Sequence, residues 1–337
     1  MTQRKLTRRQ AWRIEKIQDE RLQRARRKAQ HAADALGDQS LGSELFGLLL
    51  ANYGPYVLVE DEAGAAHRCV IRQNLGALVS GDRVVWQPST VGDGVVAAVE
   101  PRRSLLARPD PGGQMRPIAA NIDQVIVVAA PQPGVQLGLI DRYLVAAENT
   151  DLAPVILVNK IDLLNAAERE QLEAELREYR TIGYPVLYAS TRSEHGLDAL
   201  TAQLHGRTSI FVGLSGVGKS SLINALLPEA AARVGELSAS TGRGQHTTSA
   251  AMLYHLPGGG NIIDSPGVRE FGLWQMSAED ILRGFAEFRL YLGKCRFRNC
   301  RHLTEPGCAL RQAVAEHHIS ARRLESYQRI VTSLGED

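Results

Sequence analysis

Long apolar runs are missing from this chain. The longest uncharged one, around 125–130, falls far short of the roughly 20 residues that cross a bilayer, and the sequence opens Met-Thr-Gln-Arg-Lys with no apolar segment behind it. Neither a membrane span nor a secretory signal is expected. Cysteine is scarce as well: four in 337 residues, three of them between Cys295 and Cys308. That is too few and too clustered for a disulfide framework, and it suits a reducing compartment with a metal site. Internal repeats and low-complexity tracts are absent. With 44% apolar and 23% charged residues, collagen-like, mucin-like and wholly disordered chains are excluded, and the length allows two or three domains.

Net charge is also small, +2, but it conceals an asymmetry. Residues 1–36 hold 11 Lys/Arg against 4 Asp/Glu, a net of +7, which leaves 28 against 33 and −5 for the remainder. The segment from Arg8 to Leu36 has no Gly or Pro and a helix-favouring composition, yet Trp12, Ile14, Ile17 and Leu22 make only a narrow apolar stripe. A basic, partly helical or disordered arm is therefore expected over 1–44, as a solvated tail or a contact to RNA phosphates.

Short β-rich runs follow at 48–51, 56–59, 67–71, 83–86 and 94–99, separated by Gly, Asp and Pro turns. Five short strands in so small a segment predict an OB-fold β-barrel over 45–105, a fold that offers an RNA-facing surface. Cys69, isolated within one of these strands, reads as a buried small apolar residue. A Pro/Arg/Gly-rich connector is expected over 101–117. Beyond it apolar runs at 124–130, 154–158, 185–190, 208–213, 250–256 and 260–264 alternate with helical patterns, which predicts an α/β domain with a mainly parallel sheet over 106–275. From Ser277 onward the pattern is helical, interrupted by the Cys/His cluster. It closes on Ile319, Leu324, Tyr327, Val331 and Leu334 at helical spacing.

The chemistry begins with an apolar run at 208–212 leading into Gly213-Leu214-Ser215-Gly216-Val217-Gly218-Lys219-Ser220-Ser221 and then a helical run. Strand, Gly-rich loop and helix in this order make a P-loop. Its glycines let backbone N–H groups close around phosphate oxygens, Lys219 brings positive charge to the β/γ-phosphates, and Ser220 can ligate Mg²⁺. Asn159-Lys160-Ile161-Asp162 separates guanine from adenine. A carboxylate at Asp162 accepts from guanine N1–H and the 2-amino group, neither of which adenine presents. Asn159 would bond the N7/O6 side and brace the loop, and the Lys160 stem would cover the base. Ala189-Ser190-Thr191 ends the next apolar run, where a backbone N–H can meet guanine O6.

Asp264-Ser265-Pro266-Gly267 supplies a γ-phosphate sensor, with Asp264 on Mg²⁺ through water and the Gly267 N–H on the phosphate. The Gly-rich segment 242–248 reads as a switch whose Thr247 and Thr248 could ligate Mg²⁺ when GTP is bound. Many small GTPases carry a water-orienting Gln directly after the sensor Gly; here that position is Val268, which cannot bond water. His246 is the nearest polar group able to take that catalytic role, alongside Lys219, Thr247 and Thr248. In ordinary GTPases the P-loop precedes the base-reading segments, whereas here it follows them. The domain is circularly permuted, and its last switch leads directly into the Cys/His region. Two outputs fit these motifs: a GTP-hydrolysing assembly switch on RNA, or a GTP-binding RNA chaperone or sensor whose output is binding rather than turnover.

Cys295-x4-Cys300-x-His302-x5-Cys308 offers three thiolates and an imidazole, enough for a closed tetrahedral Zn²⁺ site, with Arg296, Arg298 and Arg301 interleaved. The spacing is not a common zinc-finger pattern, and reduced core cysteines are the alternative. His317 and His318 read as solvated surface.

The motif order, Gly-Gln-His-Thr-Thr at 244–248, Asp-Ser-Pro-Gly-Val-Arg-Glu-Phe-Gly-Leu-Trp at 264–274 and the cysteine cluster together resemble the RsgA family of small ribosomal subunit biogenesis GTPases. The resemblance spans nearly the whole chain from about residue 45. It implies a multidomain protein: an N-terminal OB-fold β-barrel, a circularly permuted P-loop α/β GTPase domain and a C-terminal α-helical zinc-binding domain over 276–337, with Cys295, Cys300, His302 and Cys308 on one structural Zn²⁺. It also implies GTP/GDP and Mg²⁺ as cofactors. The family's role is that of a cytoplasmic, monomeric factor binding the 30S subunit and its 16S rRNA late in maturation, with a GTPase slow alone and stimulated by that subunit.

Overall fold

The computed structural model describes residues 41–72, 75–90, 92–110, 113–227, 251–265 and 276–334. These fall into two compact units, one running to Arg103 and including 251–253, the other beginning at Ser104. The basic arm before Leu41 lies outside the described residues.

The first unit is built from β1 (Leu45–Asn52), β2 (Val57–Glu60), β3 (Ala66–Ile71), β4 (Arg83–Gln87) and β5 (Gly94–Val99). Antiparallel pairing links β1 to β2, β2 to β3, β4 to β5 and β1 to β4, while β3 and β5 run parallel. The ladder therefore returns to its starting strand, and the five-strand OB-like barrel is closed. Period-two alternation sets its interior: in β4, Val84 and Trp86 are buried while Arg83 faces solvent. Leu49, Val57, Val59, Cys69 and Val96 complete the core, and burial pushes the Cys69 thiol up to about 12, as befits an apolar filler. The fully buried Asp82 side chain is held by Arg102 Nε and Nη2 at 2.7 and 2.8 Å.

In the second unit the stretch expected as a connector instead forms an antiparallel hairpin, β6 (Leu105–Pro109) with β7 (Met115–Ala120). Pro109 and Pro117 obscured it. Proline removes a ladder donor, but in a two-strand sheet each strand has an outward side where no donor is needed.

The main sheet follows: β8 (Gln124–Ala129), β9 (Ala153–Val158), β10 (Val186–Tyr188), β11 (Thr208–Val212) and, after β12 (Met252–His255), β13 (Asn261–Asp264). Parallel pairing orders five of them β10-β9-β8-β11-β13. Every residue of β8 and β11 is buried, including the polar Gln124, Thr208 and Ser209, as expected of strands covered on both faces. The covering helices are α1 (Leu137–Glu148), α2 (Ala166–Ile182), α3 (Asp198–Leu204) and α4 (Lys219–Leu226). Asn165 and Glu168 form a reciprocal capping box that starts α2.

The C-terminal part contains α5 (Ala278–Gly284), a 3-10 stretch Ala286–Tyr291, α6 (Ala309–Ala315) and α7 (Ala321–Leu334). Its core gathers Phe285, Phe288, Leu310, Tyr327 and Ile330 against Val145 of α1. The rings of Phe285 and Phe288 stack at 4.7 Å, and Tyr327 meets both edge-on.

Candidate functional site

The loops that follow β9, β10 and β11 all leave the carboxyl ends of parallel strands, where open α/β sheets place their ligands. The loop after β11 is shaped by its glycines. Gly213 has φ +139, and a Cβ there would strike Val128 O. Gly218, with φ +93, ends the loop as the cap of α4, and a Cβ there would strike Asn159 Nδ2. Only glycine meets both demands, close approach and left-handed backbone, and this leaves the α4 N-terminus open to an anion. Lys219 Nζ, half-buried, donates to Gly213 O at 2.7 Å and Leu214 O at 2.6 Å, arching across the loop it serves.

Asn159 and Lys160, just beyond β9, reach into this same loop. Asn159 Nδ2 donates to Val217 O at 2.9 Å, and Lys160 Nζ donates to Gly216 O at 2.6 Å. Lys160 adopts φ +60 to make the turn, and Ile161 and Asp162 continue in a 3-10 turn, Ile161–Leu163. Asn159 is buried, and among the described residues its Oδ1 has no hydrogen-bond partner. The Asp162 carboxylate is oriented by Ser190, whose Oγ donates to Oδ1 at 2.6 Å.

The backbone after β10 distributes its donors. Ala189 N–H bonds Val158 O at 2.8 Å and Ser190 N–H bonds Gly196 O at 3.0 Å. Among the described residues the Thr191 amide has no such partner. The structure thus brings together Asn159, Lys160, Ile161, Asp162, Ala189 and Ser190 with the loop 213–221, and ends β13 at Asp264 on the strand next to β11. His246, Thr247, Thr248, Gly267 and Val268 lie outside the described residues.

The second cluster holds Cys295, Cys300, His302 and Cys308, whose Sγ and ring-nitrogen atoms all lie within 4.8 Å of one another. His302 Nδ1 is 3.5 Å from Cys295 Sγ and 3.4 Å from Cys308 Sγ. A tetrahedral zinc with bonds of about 2.0–2.3 Å separates its ligands by roughly 3.5–3.8 Å, so this donor set fits such an ion. Local backbone secures it: His302 takes φ +61, Gln328 Nε2 of α7 donates to His302 O at 2.7 Å, and the Ala309 amide donates to Cys295 Sγ at 3.3 Å. Without a cation, burial pushes the Cys300 thiol up to about 12 and draws the His302 imidazole below its usual value.

Charge pairing supplies what the motifs did not show. Asp141 of α1 is wholly buried and accepts from Tyr179 of α2 and from Arg322 and Arg323 of α7. One partial signal was available: Asp141 and Arg142 interrupt the apolar stretch Leu139 to Ala147, and whichever of them is buried needs a partner.

Comparison with known proteins agrees with this geometry. The family model described as RsgA GTPase matches residues 99–274. The small ribosomal subunit biogenesis GTPase RsgA of Ectopseudomonas mendocina is 52% identical, covering 100% of this chain and 99% of that protein. Its namesake from Pseudomonas aeruginosa strain LESB58 is 51% identical over the same shares. Among solved structures, YjeQ from Thermotoga maritima aligns with TM-score 0.72 at 31% identity, covering 87% of this chain and 99% of its own. YloQ, described as a circularly permuted GTPase, aligns with TM-score 0.70 at 28% identity over 87% and 96%. With base-reading segments ahead of the phosphate loop, one barrel before them and a Cys3His cluster after, this chain belongs to the RsgA GTPase family.

Proposed function

We propose that the chain binds GTP at the loops after β9, β10 and β11, hydrolyses it on the small ribosomal subunit, and so acts as a late assembly factor for that particle. The observation that carries this is the joining of Asn159 to the phosphate loop through Val217 O, beside an Asp162 carboxylate oriented by Ser190. One nucleotide is thereby held at both ends by groups of fixed spacing. Asp162 would accept from guanine N1–H and the 2-amino group, Asn159 Nδ2 would offer its second hydrogen to N7, and the Thr191 amide would donate to O6. Loop amides 214–219 and Lys219 would surround the phosphates.

Ser220 at the start of α4 and Asp264 at the end of β13 would hold Mg²⁺, joined by Thr247 and Thr248 when GTP is bound. Held there, the ion would supply positive charge against the charge that develops on the phosphates. His246 takes the water-orienting role that Val268 cannot fill. Gly267 would report the γ-phosphate. Zn²⁺ on Cys295, Cys300, His302 and Cys308 would be structural, since four protein ligands leave no open position. Arm, barrel, GTPase and zinc domains at 1–44, 45–105, 106–275 and 276–337 are the working division.

RNA affinity would come from the barrel face, the basic arm and the Arg-rich zinc segment. A cytoplasmic site of action fits this partner, and among the described residues no helix is long and apolar enough to cross a membrane. The test is multiple-turnover GTP hydrolysis with and without purified small subunits. A large stimulation that disappears in Lys219→Ala supports the reading; none at saturating subunit overturns it.

A further inference from the structure

Helix α1 has two neighbours with different duties. On one side Leu139, Ile140 and Tyr143 line a narrow crevice against Leu214 and Val217 of the phosphate loop. In the turn leading to α1, Gln132 O accepts from Lys160 Nζ at 3.4 Å. On the other side Asp141 is gripped by the C-terminal helix: Arg323 Nη1 donates to Oδ1 at 2.6 Å and Arg322 Nη1 to Oδ2 at 2.8 Å. Tyr179 Oη donates to the same Oδ1 at 2.6 Å.

The two arginines are themselves pinned. Arg322 Nε donates to Glu178 Oε2 at 2.8 Å, and Arg323 Nε and Nη2 donate to Glu287 at 2.6 and 3.1 Å. The Asp141 and Arg323 side chains have no solvent exposure. Close backbone approach reinforces the contact, for a Cβ on Gly284 of α5 would fall 2.6 Å from Val145 Cγ1 and 2.7 Å from Asn149 Nδ2. An apolar interface can slide by fractions of an ångström at little cost. A buried ion cluster cannot, because each displacement leaves a desolvated charge without its partner.

We infer that Arg322 and Arg323 are positioning residues for the nucleotide site: through Asp141 they fix the pose of α1, and with it the wall that α1 presents to the phosphate loop across that crevice. Neither arginine touches the loop. The grip on nucleotide therefore depends on docking of the zinc-bearing C-terminal helices, and by linkage bound nucleotide tightens that docking. This runs through the base-side loops and α1, separately from the chain connection after Asp264. It rests on the reading that 159–162 and 213–221 hold a guanine nucleotide.

The test uses the full zinc-loaded chain and a fluorescent GDP analogue. Dissociation from Arg322→Gln and Asp141→Asn is expected to be about two- to thirtyfold faster than from the unaltered chain, the range of coupling through packed networks. Zinc content and preference for guanine over adenine should stay unchanged. A variant that keeps its zinc and its near-UV dichroism but releases GDP at the original rate overturns the inference. Should the substitutions prevent folding, hydrogen exchange on the unaltered chain decides: GDP should slow exchange in 321–334, and no change there is equally fatal. Failure of the unaltered chain to bind any guanine nucleotide is a different result, and it would refute the proposed function itself.

Discussion

Asn159 Nδ2 lies 2.9 Å from Val217 O, joining two segments 58 residues apart in sequence. Gly218 makes the bond possible, because any side chain there would occupy the space of the Asn159 amide. Gly218→Ala adds both that collision and a left-handed backbone cost of about 1–2 kcal/mol. Affinity for GDP should fall at least about tenfold, measured by titration of a fluorescent analogue, while the thermal midpoint of the barrel stays where it was.

Asp162→Asn exchanges an acceptor for a donor at the base edge. Guanine presents donors there, so two charge-assisted bonds are lost, and GTP affinity should drop about a hundredfold or more. Xanthine carries a carbonyl where guanine has its amine and should regain much of the loss. Competition between GTP and XTP for the variant reads this directly. Undiminished GTP binding would place the base elsewhere.

His246→Ala should leave GTP binding intact and lower single-turnover hydrolysis by about 10²–10⁴-fold, the usual contribution of a group that handles the attacking water's proton. Rapid-quench measurement at saturating enzyme separates this chemistry from nucleotide release. Full activity in the variant would assign the water to another group.

Removing zinc should act first on the helical core it adjoins. Cys308 is buried within the cluster of Phe285, Phe288 and Tyr327, and α7 reaches the site through Gln328. Chelation, or Cys308→Ser, should lower the C-terminal melting transition and raise exchange in 309–334, yet GDP should still bind. Metal content by atomic absorption, near one zinc per chain before chelation, is the control.

Much of this was legible because apolar pattern and glycine chemistry are local. The strands β8 and β9 announce themselves as near-continuous apolar runs, and the loop 213–221 needs its glycines wherever the fold comes from. The cysteine spacing, by contrast, pointed to metal ligation but is not a common zinc-finger pattern, and reduced core cysteines stayed as the alternative until the four donor atoms stood together. The hairpin β6–β7 was hidden by Pro109 and Pro117, since proline argues against a strand until its edge position is known. The Asp141 cluster was hidden more deeply. Arg323 and Asp141 are 182 residues apart, and nothing in the local pattern of α7 separates Arg323 from the exposed Arg329. Periodicity marks apolar faces and is blind to charges that a distant partner makes buriable.

That cluster has a pH signature of definite sign. Burial alone would raise the Asp141 carboxyl, but the facing Arg323 and Arg322 outweigh it and hold the group below its ordinary value. The other groups around it are the Tyr179 and Ser326 hydroxyls, both hydrogen-bonded to it, and the carboxylates of Glu178 and Glu287, each bridged to an arginine. A carboxylate with a depressed folded-state pKa contributes stability that is complete above its unfolded value, near 3.9, and fades as pH falls through the folded one. Asp141→Asn removes that contribution, and breaking a buried pair of this kind costs about 3–5 kcal/mol. The difference in thermal midpoint between the unaltered chain and the variant should be constant from about pH 8 to pH 5 and narrow only below about pH 4. Zinc release at low pH is common to both proteins and cancels in the difference. A gap that widened as the pH fell would mean that the carboxyl is held above its ordinary value, with burial rather than the arginines in control.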